Sequence, residues 1–401
     1  MRAGSVALVA LVAAVLGGVS VAVVGKAAGW FGNTKRTVIV QTPPAAEPAS
    51  QATPDTSKPL TGNGFDSRAI YRKRARGVVT IFSVYGSSSS AQEAQGSGFV
   101  VSPKGYILTN SHVITTAGGS GSSTKAASEV YVEFQDHDRV SAKVVGWDIF
   151  DDVGLIKVKP DEHLLTPVPL GNSSGVLVGD PVAAIGSPFG NENSLTVGVV
   201  SAIERSIPAL TSDYNLVDAI QTDAPINHGN SGGPLFDARG RVVGINAQIR
   251  SNSGVAEGVG FAVPIDSARR SMTQLIAAGR VSYAFVGIET QDLTPTLAKR
   301  FHYPVEHGAV ITAVHSHTPG AAAGLRGGTS NEEVLGMRFT RGGDVIVAID
   351  GRPVRSAEDV VRIVSGRVSP GETVGFTIYR GNARKTVMVK LAERPASPKR
   401  G

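Results

Sequence analysis

The stretch NHGNSGGPLF, residues 227–236, sets a single serine, Ser231, among three glycines, with a proline at 234. Residues 229–233 fit Gly-x-Ser-x-Gly, the pattern of a nucleophile elbow, in which a strand turns into a helix directly after the serine. Here Gly232, Gly233 and Pro234 discourage helix, and the chain soon runs into β-prone RVVGINAQI, residues 241–249. The stretch therefore belongs to a β context, and the α/β-hydrolase reading falls. Taken alone, it is equally a glycine-rich hairpin turn with a solvated serine.

On both sides of this stretch short β-prone runs recur, at 78–86, 96–101, 105–109, 129–134, 139–147, 153–158, 181–186, 195–203, 216–222, 241–249 and 257–263. Gly, Ser, Asn and Pro clusters punctuate them, the signature of an all-β barrel or sandwich. The 48 glycines and 22 prolines among 401 residues agree with a turn-rich, mainly β protein. No cysteine is present, which excludes disulfides, thiol nucleophiles and thiolate metal sites. The net charge of +6 is largely local, in Arg68, Arg72, Lys73, Arg74, Arg76 and the Lys399-Arg400 tail, and reads as solvated charge. No nucleic-acid partner is expected.

One of the eight histidines, His112, follows the short apolar run in ILTNSHVI, residues 107–114. Forty residues on, DIFDDVGLIKV (148–158) offers Asp148, Asp151 and Asp152 just before another strand. A serine hydroxyl becomes a nucleophile when an imidazole takes its proton, and the imidazole needs a buried carboxylate to hold its tautomer. The order His, Asp, Ser in a β domain is the chymotrypsin order. The glycines then acquire a purpose. Gly229 permits a loop in which the N–H groups around Gly229, Asn230 and Ser231 converge on a developing oxyanion, at about 3 kcal/mol per donor.

Together GSGFVVSPKGYILTNSHVI (96–114), DDVGLIKV (151–158), AIGSPFG (184–190), QTDAPINHGNSGGPL (221–235) and GVGFAVPID (258–266) resemble the HtrA/Deg family of serine proteases. The resemblance runs from about residue 70 to 393. It implies a chymotrypsin-like double β-barrel followed by a small α+β PDZ domain, and among the three aspartates it selects Asp152, which directly precedes Val153-Gly154-Leu155. It further implies a specificity pocket around Ile226, Asn227, Gly244, Ile245 and Asn246, uncharged and so suited to small or medium aliphatic side chains. Arg205 matches a regulatory loop arginine of the family. YAFVGIE (283–289) resembles a peptide carboxylate-binding loop, with Phe285, Val286, Gly287 and Ile288 holding a C-terminus, and GDVIVAIDGRPV (343–354) matches a second PDZ segment. A homotrimer is implied. Two departures stand out: Ser111 before the histidine, where the family often has Ala or Gly, and His228 before the oxyanion glycine.

The expected organisation is a transmembrane anchor or signal at 1–28, a disordered linker at 29–65, a protease domain at 66–265, a linking helix at 266–281 capped by Asp266, a PDZ domain at 282–393 and a tail at 394–401. Residues 3–25 carry no charge and, as a helix, extend about 35 Å, enough to cross a bilayer core of about 30 Å. An uncleaved membrane anchor with an extracytoplasmic body is therefore expected, although the flanking Arg2, Lys26, Lys35 and Arg36 do not set the orientation. GGTSNEEVLGMRFTRG, residues 327–342, reads as a loop inserted in the second domain. His315 and His317 share a strand face but lack a third ligand, so neither metal nor cofactor is expected. The sequence points to a serine endopeptidase of protein quality control that acts on unfolded or tagged polypeptides and binds peptide C-termini. The competing class is a chaperone or PDZ scaffold whose triad is idle.

Overall fold

The computed structural model describes residues 64–86, 92–116, 124–187, 194–212, 214–227, 229–247 and 258–395. The expected membrane segment, the linker up to residue 63 and His228 lie outside the described residues. Among those described, no helix is long and apolar enough to cross a membrane.

A short helix, α1 (Ser67–Arg74), opens the folded part, its first turn closed by the Asp66 side chain on the N–H of Ala69. Six strands follow: β1 (Val78–Tyr85), β2 (Gln92–Val100), β3 (Tyr106–Thr109), β4 (Glu129–Glu133), β5 (Arg139–Asp148) and β6 (Val153–Val158), with one helical turn, α2 (Ser111–Ile114), after β3. They close into a barrel in the order β1-β2-β3-β6-β5-β4. Strands β7 (Pro181–Gly186), β8 (Ser194–Pro208), β9 (Asn215–Thr222), β10 (Pro234–Phe236), β11 (Val242–Ala247) and β12 (Gly260–Pro264) close a second barrel in the order β10-β11-β12-β9-β8-β7. Closure leaves no unpaired strand edge.

Each barrel has its own apolar filling, Ile81, Val132 and Ile156 in the first and Val182, Val200 and Leu235 in the second. A third cluster, with Phe99, Leu108 and Leu155 from one barrel and Ile185, Phe236 and Ile245 from the other, fills the seam. That seam is where α2 and the 229–233 loop lie, so the packing that joins the barrels also fixes the candidate site.

Helix α3 (Ile265–Ala278) leaves the second barrel and returns along the seam, burying Ile265, Ala268, Ser271 and Leu275, a stripe at helical spacing. Its cap differs from expectation: Pro264 is the N-cap, and Asp266 lies within the first turn. Asp266 is drawn there because its carboxylate accepts from the N–H groups of Ser173 and Ser174 and pairs with Arg269. Gly279 ends the helix in the left-handed conformation.

The C-terminal domain contains β13 (Ala284–Phe285), β14 (Ile288–Leu293), α4 (Pro295–Phe301), β15 (Gly308–Val314), α5 (Pro319–Ala322), β16 (Ser330–Val334), β17 (Met337–Arg341), β18 (Val345–Ile349), β19 (Arg352–Pro353), α6 (Ala357–Gly366), β20 (Thr373–Arg380), β21 (Ala383–Lys390) and β22 (Ala392–Glu393). Its main sheet runs β14-β15-β18-β20-β21, which leaves β14 at an edge. The capping box of Ser356 and Asp359 starts α6, and the helix buries Val360, Ile363 and Val364 against the sheet. The chain between β13 and β14 is interrupted at Val286 and Gly287, and the principal strand runs from Ile288 to Leu293. The inserted stretch is not a loop. Residues 330–341 form a β-hairpin, β16 on β17, whose Val334 and Phe339 bury against α4 and β15 while Leu335 and Met337 stay exposed at the tip.

Candidate active site

Helix α2 presents His112 at the end of β3, and the turn between β5 and β6 presents Asp152. The ring Nδ1 of His112 lies 2.7 Å from Asp152 Oδ2. Asp152 Oδ1 accepts from the N–H of His112 at 3.1 Å and from Ser111 Oγ at 2.7 Å. The backbone is tied as well, since Asp152 O accepts from Ser111 N and Asn110 Nδ2. Asp152 adopts a left-handed φ of 51°, an uncommon conformation for a non-glycine residue that surrounding contacts must hold. Of the three candidate aspartates it is Asp152 that faces His112. Asp148 and Asp151 turn instead to Tyr283.

Burial pushes the imidazole of His112 toward neutrality, but the adjacent Asp152 charge and hydrogen bond outweigh it, and the pKa is raised above the usual histidine value. This is the electrostatic arrangement of a base that holds a proton well once it has taken one.

The loop carrying Ser231 is strapped to the first barrel. Ser97 N donates to Ser231 O at 2.8 Å, and Ser97 Oγ donates to Gly229 O. Gly229 has a φ of 101° and Gly232 one of 86°, both in the region that favours glycine. At Gly232 a Cβ would also lie 2.2 Å from Ser97 O and 3.1 Å from Asn110 N, so the close approach of this loop to the histidine-bearing segment requires glycine. Ser231 is 3% exposed, and its Oγ has no hydrogen-bond partner among the described residues. The structure thus pairs His112 with Asp152 and brings the serine loop against their segment without a ground-state hydrogen bond to the serine hydroxyl. Such bonds commonly tighten only around substrate. No acceptor among the described residues takes the N–H of Gly229 or Ser231, whereas Asn230 N donates to Asn227 O at 3.0 Å and is committed to the turn.

The residues expected to form a specificity pocket divide into two groups. Ile226 packs into the core of the second barrel, and Ile245 is fully buried in the seam. Gly244 precedes Ile245 on β11, Asn227 is half-buried at the loop, and Asn246 exchanges backbone hydrogen bonds with Gly232 and Gly233. Sequence reasoning missed Ser97, whose strapping role has only the GSG of residues 96–98 as a signal, and Tyr283.

The trypsin-like peptidase domain model matches residues 96–245, and the PDZ domain model matches residues 284–391. A probable periplasmic serine endoprotease DegP-like from Halomonas elongata is 35% identical over 367 residues, 92% of this chain and 69% of its own. The chain belongs to the HtrA/DegP family of serine proteases. A DegP-like relative from Pseudomonas fulva is 39% identical over 313 residues, 78% of this chain and 59% of the relative, so the chain spans about three fifths of that curated relative. The solved HtrA-type protease AlgW with tripeptide superposes with a TM-score of 0.67 at 31% identity, covering 82% of this chain and 97% of AlgW.

In this HtrA-family chain the PDZ loop is well defined. Val286 O accepts from Gly320 N, and Gly287 O accepts from His315 N at 3.0 Å. Because a trans peptide points its N–H opposite to its C=O, the N–H groups of Gly287 and Ile288 face away from these partners. Gly287 has a φ of 79° and no room for a Cβ, which would lie 2.3 Å from Thr318 Cβ. A cleft of 530 Å³ runs from Phe285, Val286, Gly287 and Ile288 along α6 past Val361 and Val364, and Tyr214 and Val217 of the protease domain border it. Arg205 is exposed on β8 and hydrogen-bonds Gln221 within its own hairpin. The ion pairs that cross to the PDZ domain come from its neighbours, Glu204 and Asp218, both onto Arg362 of α6. His315 pairs with Glu289 at 3.2 Å, and among the described residues no group of three or more His, Asp or Glu is placed to hold a metal ion.

Proposed function

We propose that the chain is a serine endopeptidase that cuts unfolded or specifically tagged polypeptides, with its PDZ cleft binding peptide C-termini. The observation that carries the reading is the His112–Asp152 pair at 2.7 Å, with the serine loop packed against its segment and a buried Ser231 hydroxyl that has no hydrogen-bond partner among the described residues. Ser231 attacks the scissile carbonyl, His112 takes its proton and returns it to the leaving amine, and Asp152 holds the imidazole. The N–H groups of Gly229 and Ser231 receive the oxyanion, each contributing about 3 kcal/mol. Asn230, with its own N–H engaged, shapes the turn. The uncharged surroundings of Asn227, Gly244 and Asn246 favour small or medium aliphatic side chains at the cleavage position. A peptide would enter the PDZ cleft as an added strand on β14, its carboxylate on the N–H groups of Gly287 and Ile288.

The periplasmic description of the relatives and the uncharged run 3–25 support an extracytoplasmic body on a single membrane anchor. Family membership supports a homotrimer. Incubation of wild-type and Ser231→Ala protein with unfolded casein tests the central claim. Casein loss confined to the wild type is expected, and equal loss in both would remove Ser231 as the nucleophile.

A further inference from the structure

We propose that Tyr283, from the boundary of the PDZ domain, is a positioning residue for the triad aspartate Asp152, acting through Asp148 and the turn that connects them. This rests on the serine-protease reading above. The turn begins at Asp148, whose Oδ1 accepts from the N–H groups of Phe150 at 2.9 Å and Asp151 at 3.3 Å. It ends at Asp152 in its left-handed conformation. The other oxygen of Asp148 is gripped from outside the barrel, by Tyr283 Oη at 2.5 Å and by Ser271 Oγ of α3 at 2.6 Å. Asp148, Ser271 and Tyr283 are all buried, at 1%, 0% and 5% exposure, so water cannot replace these contacts.

Tyr283 also lies 2.9 Å from Asp151 Oδ2. A phenol has one proton and cannot donate to two carboxylates at once. Asp148 already accepts from Phe150, Asp151 and Ser271 and is the natural holder of negative charge, so the second contact is satisfied when Asp151 carries a proton and donates to Tyr283 Oη. Burial raises Asp148 as well, and the hydrogen bonds it accepts from Ser271, Tyr283, Phe150 and Asp151 oppose that rise. Burial, then the Asp148 charge, push Asp151 up to about 6, against the opposing effect of Arg270 and Arg394. The tyrosine ring packs edge-on against Phe150, in the middle of the same turn, at 5.2 Å between centroids. The Arg394 guanidinium sits over Phe150, Tyr214 and Tyr283. Three of the four residues before Asp152 are thus fixed by one side chain from beyond α3 or by a group that packs on it.

The test is Tyr283→Phe in the full chain, which keeps the ring and deletes the hydroxyl, with Ser231→Ala as the inactive control. Because a hydrogen bond to a buried charged group is at stake, kcat on a peptide substrate is expected to fall about tenfold with KM unchanged. Asp148→Asn is expected to lower kcat similarly, and the double variant to be no worse than the poorer single one, since both break the same link. Should Tyr283→Phe prove unfolded at the assay temperature, Asp148→Asn alone carries the expectation. A wild-type kcat in the folded Tyr283→Phe, a wild-type kcat in Asp148→Asn, or losses that multiply in the double variant would overturn the proposal. Equal hydrolysis by wild type and Ser231→Ala would instead sink the protease reading on which it stands.

Discussion

The carboxylate of Asp152 accepts three hydrogen bonds, and one of them comes from a residue that departs from the family's habit. Ser111 is fully buried and gives its hydroxyl to Asp152 Oδ1, which leaves Oδ2 turned toward the imidazole. Ser111→Ala deletes one donor while His112 N and Nδ1 remain. Steady-state kinetics are expected to show kcat reduced about tenfold at unchanged KM, a hydrogen bond to a charged group being involved. An unaltered kcat would mean the two remaining bonds suffice. At the same scale, the raised pKa of His112 sets the acid limb of the activity profile. The protonated ring cannot act as base, so fluorophosphonate labelling of Ser231 is expected to decline on acidification from a point above the ordinary histidine value of about 6.5. A limb centred below that value would contradict the Asp152 effect.

At the scale of elements, the decisive pieces are two loops whose shape excludes a side chain. Gly287→Ala would drive a Cβ into Thr318 and strain a positive φ, so peptide binding to the PDZ cleft, followed by fluorescence anisotropy, is expected to weaken at least tenfold while Ser231 labelling persists. Simultaneous loss of both would mark a folding defect instead. The glycines at 229 and 232 were legible in the sequence because their spacing around Ser231 points at them directly, and Gly287 was legible through the family resemblance of residues 283–289. The strands were legible too, since Val and Ile runs between turn residues report local pairing. What escaped had non-local causes. Asp266 looked like a cap but serves Ser173 and Ser174, nearly a hundred residues away in sequence. The 330–341 hairpin was hidden because only Val334 and Phe339 of it face a core, too few apolar positions to show alternation. Ser97 and Tyr283 act on residues far along the chain, and no local pattern announces such contacts.

For the whole molecule, the two domains are joined by groups of contrasting worth. Arg362 pairs with Asp218 and Glu204 but remains partly exposed, so Arg362→Ala is expected to cost at most about 1 kcal/mol in a denaturant titration. The Asp148–Tyr283–Asp151 junction is buried and pH-dependent. Asp151, raised to about 6 by burial and then by the Asp148 charge, binds its proton more tightly folded than unfolded, where a value of about 3.9 applies. Its contribution to stability is therefore fullest below about pH 4, declines as pH rises through about 6 and is level beyond. The span corresponds to a ceiling of about 3 kcal/mol. Asp151→Asn keeps a neutral N–H donor for Tyr283 and removes the Asp151 titration together with its coupling to Asp148, while the carboxylates away from this junction titrate alike in both proteins. The melting temperature of the variant minus that of the wild type should accordingly increase from pH 4 to pH 6 and then stay level to pH 8. A difference that is flat from pH 4 to pH 8 would place the proton elsewhere than on Asp151.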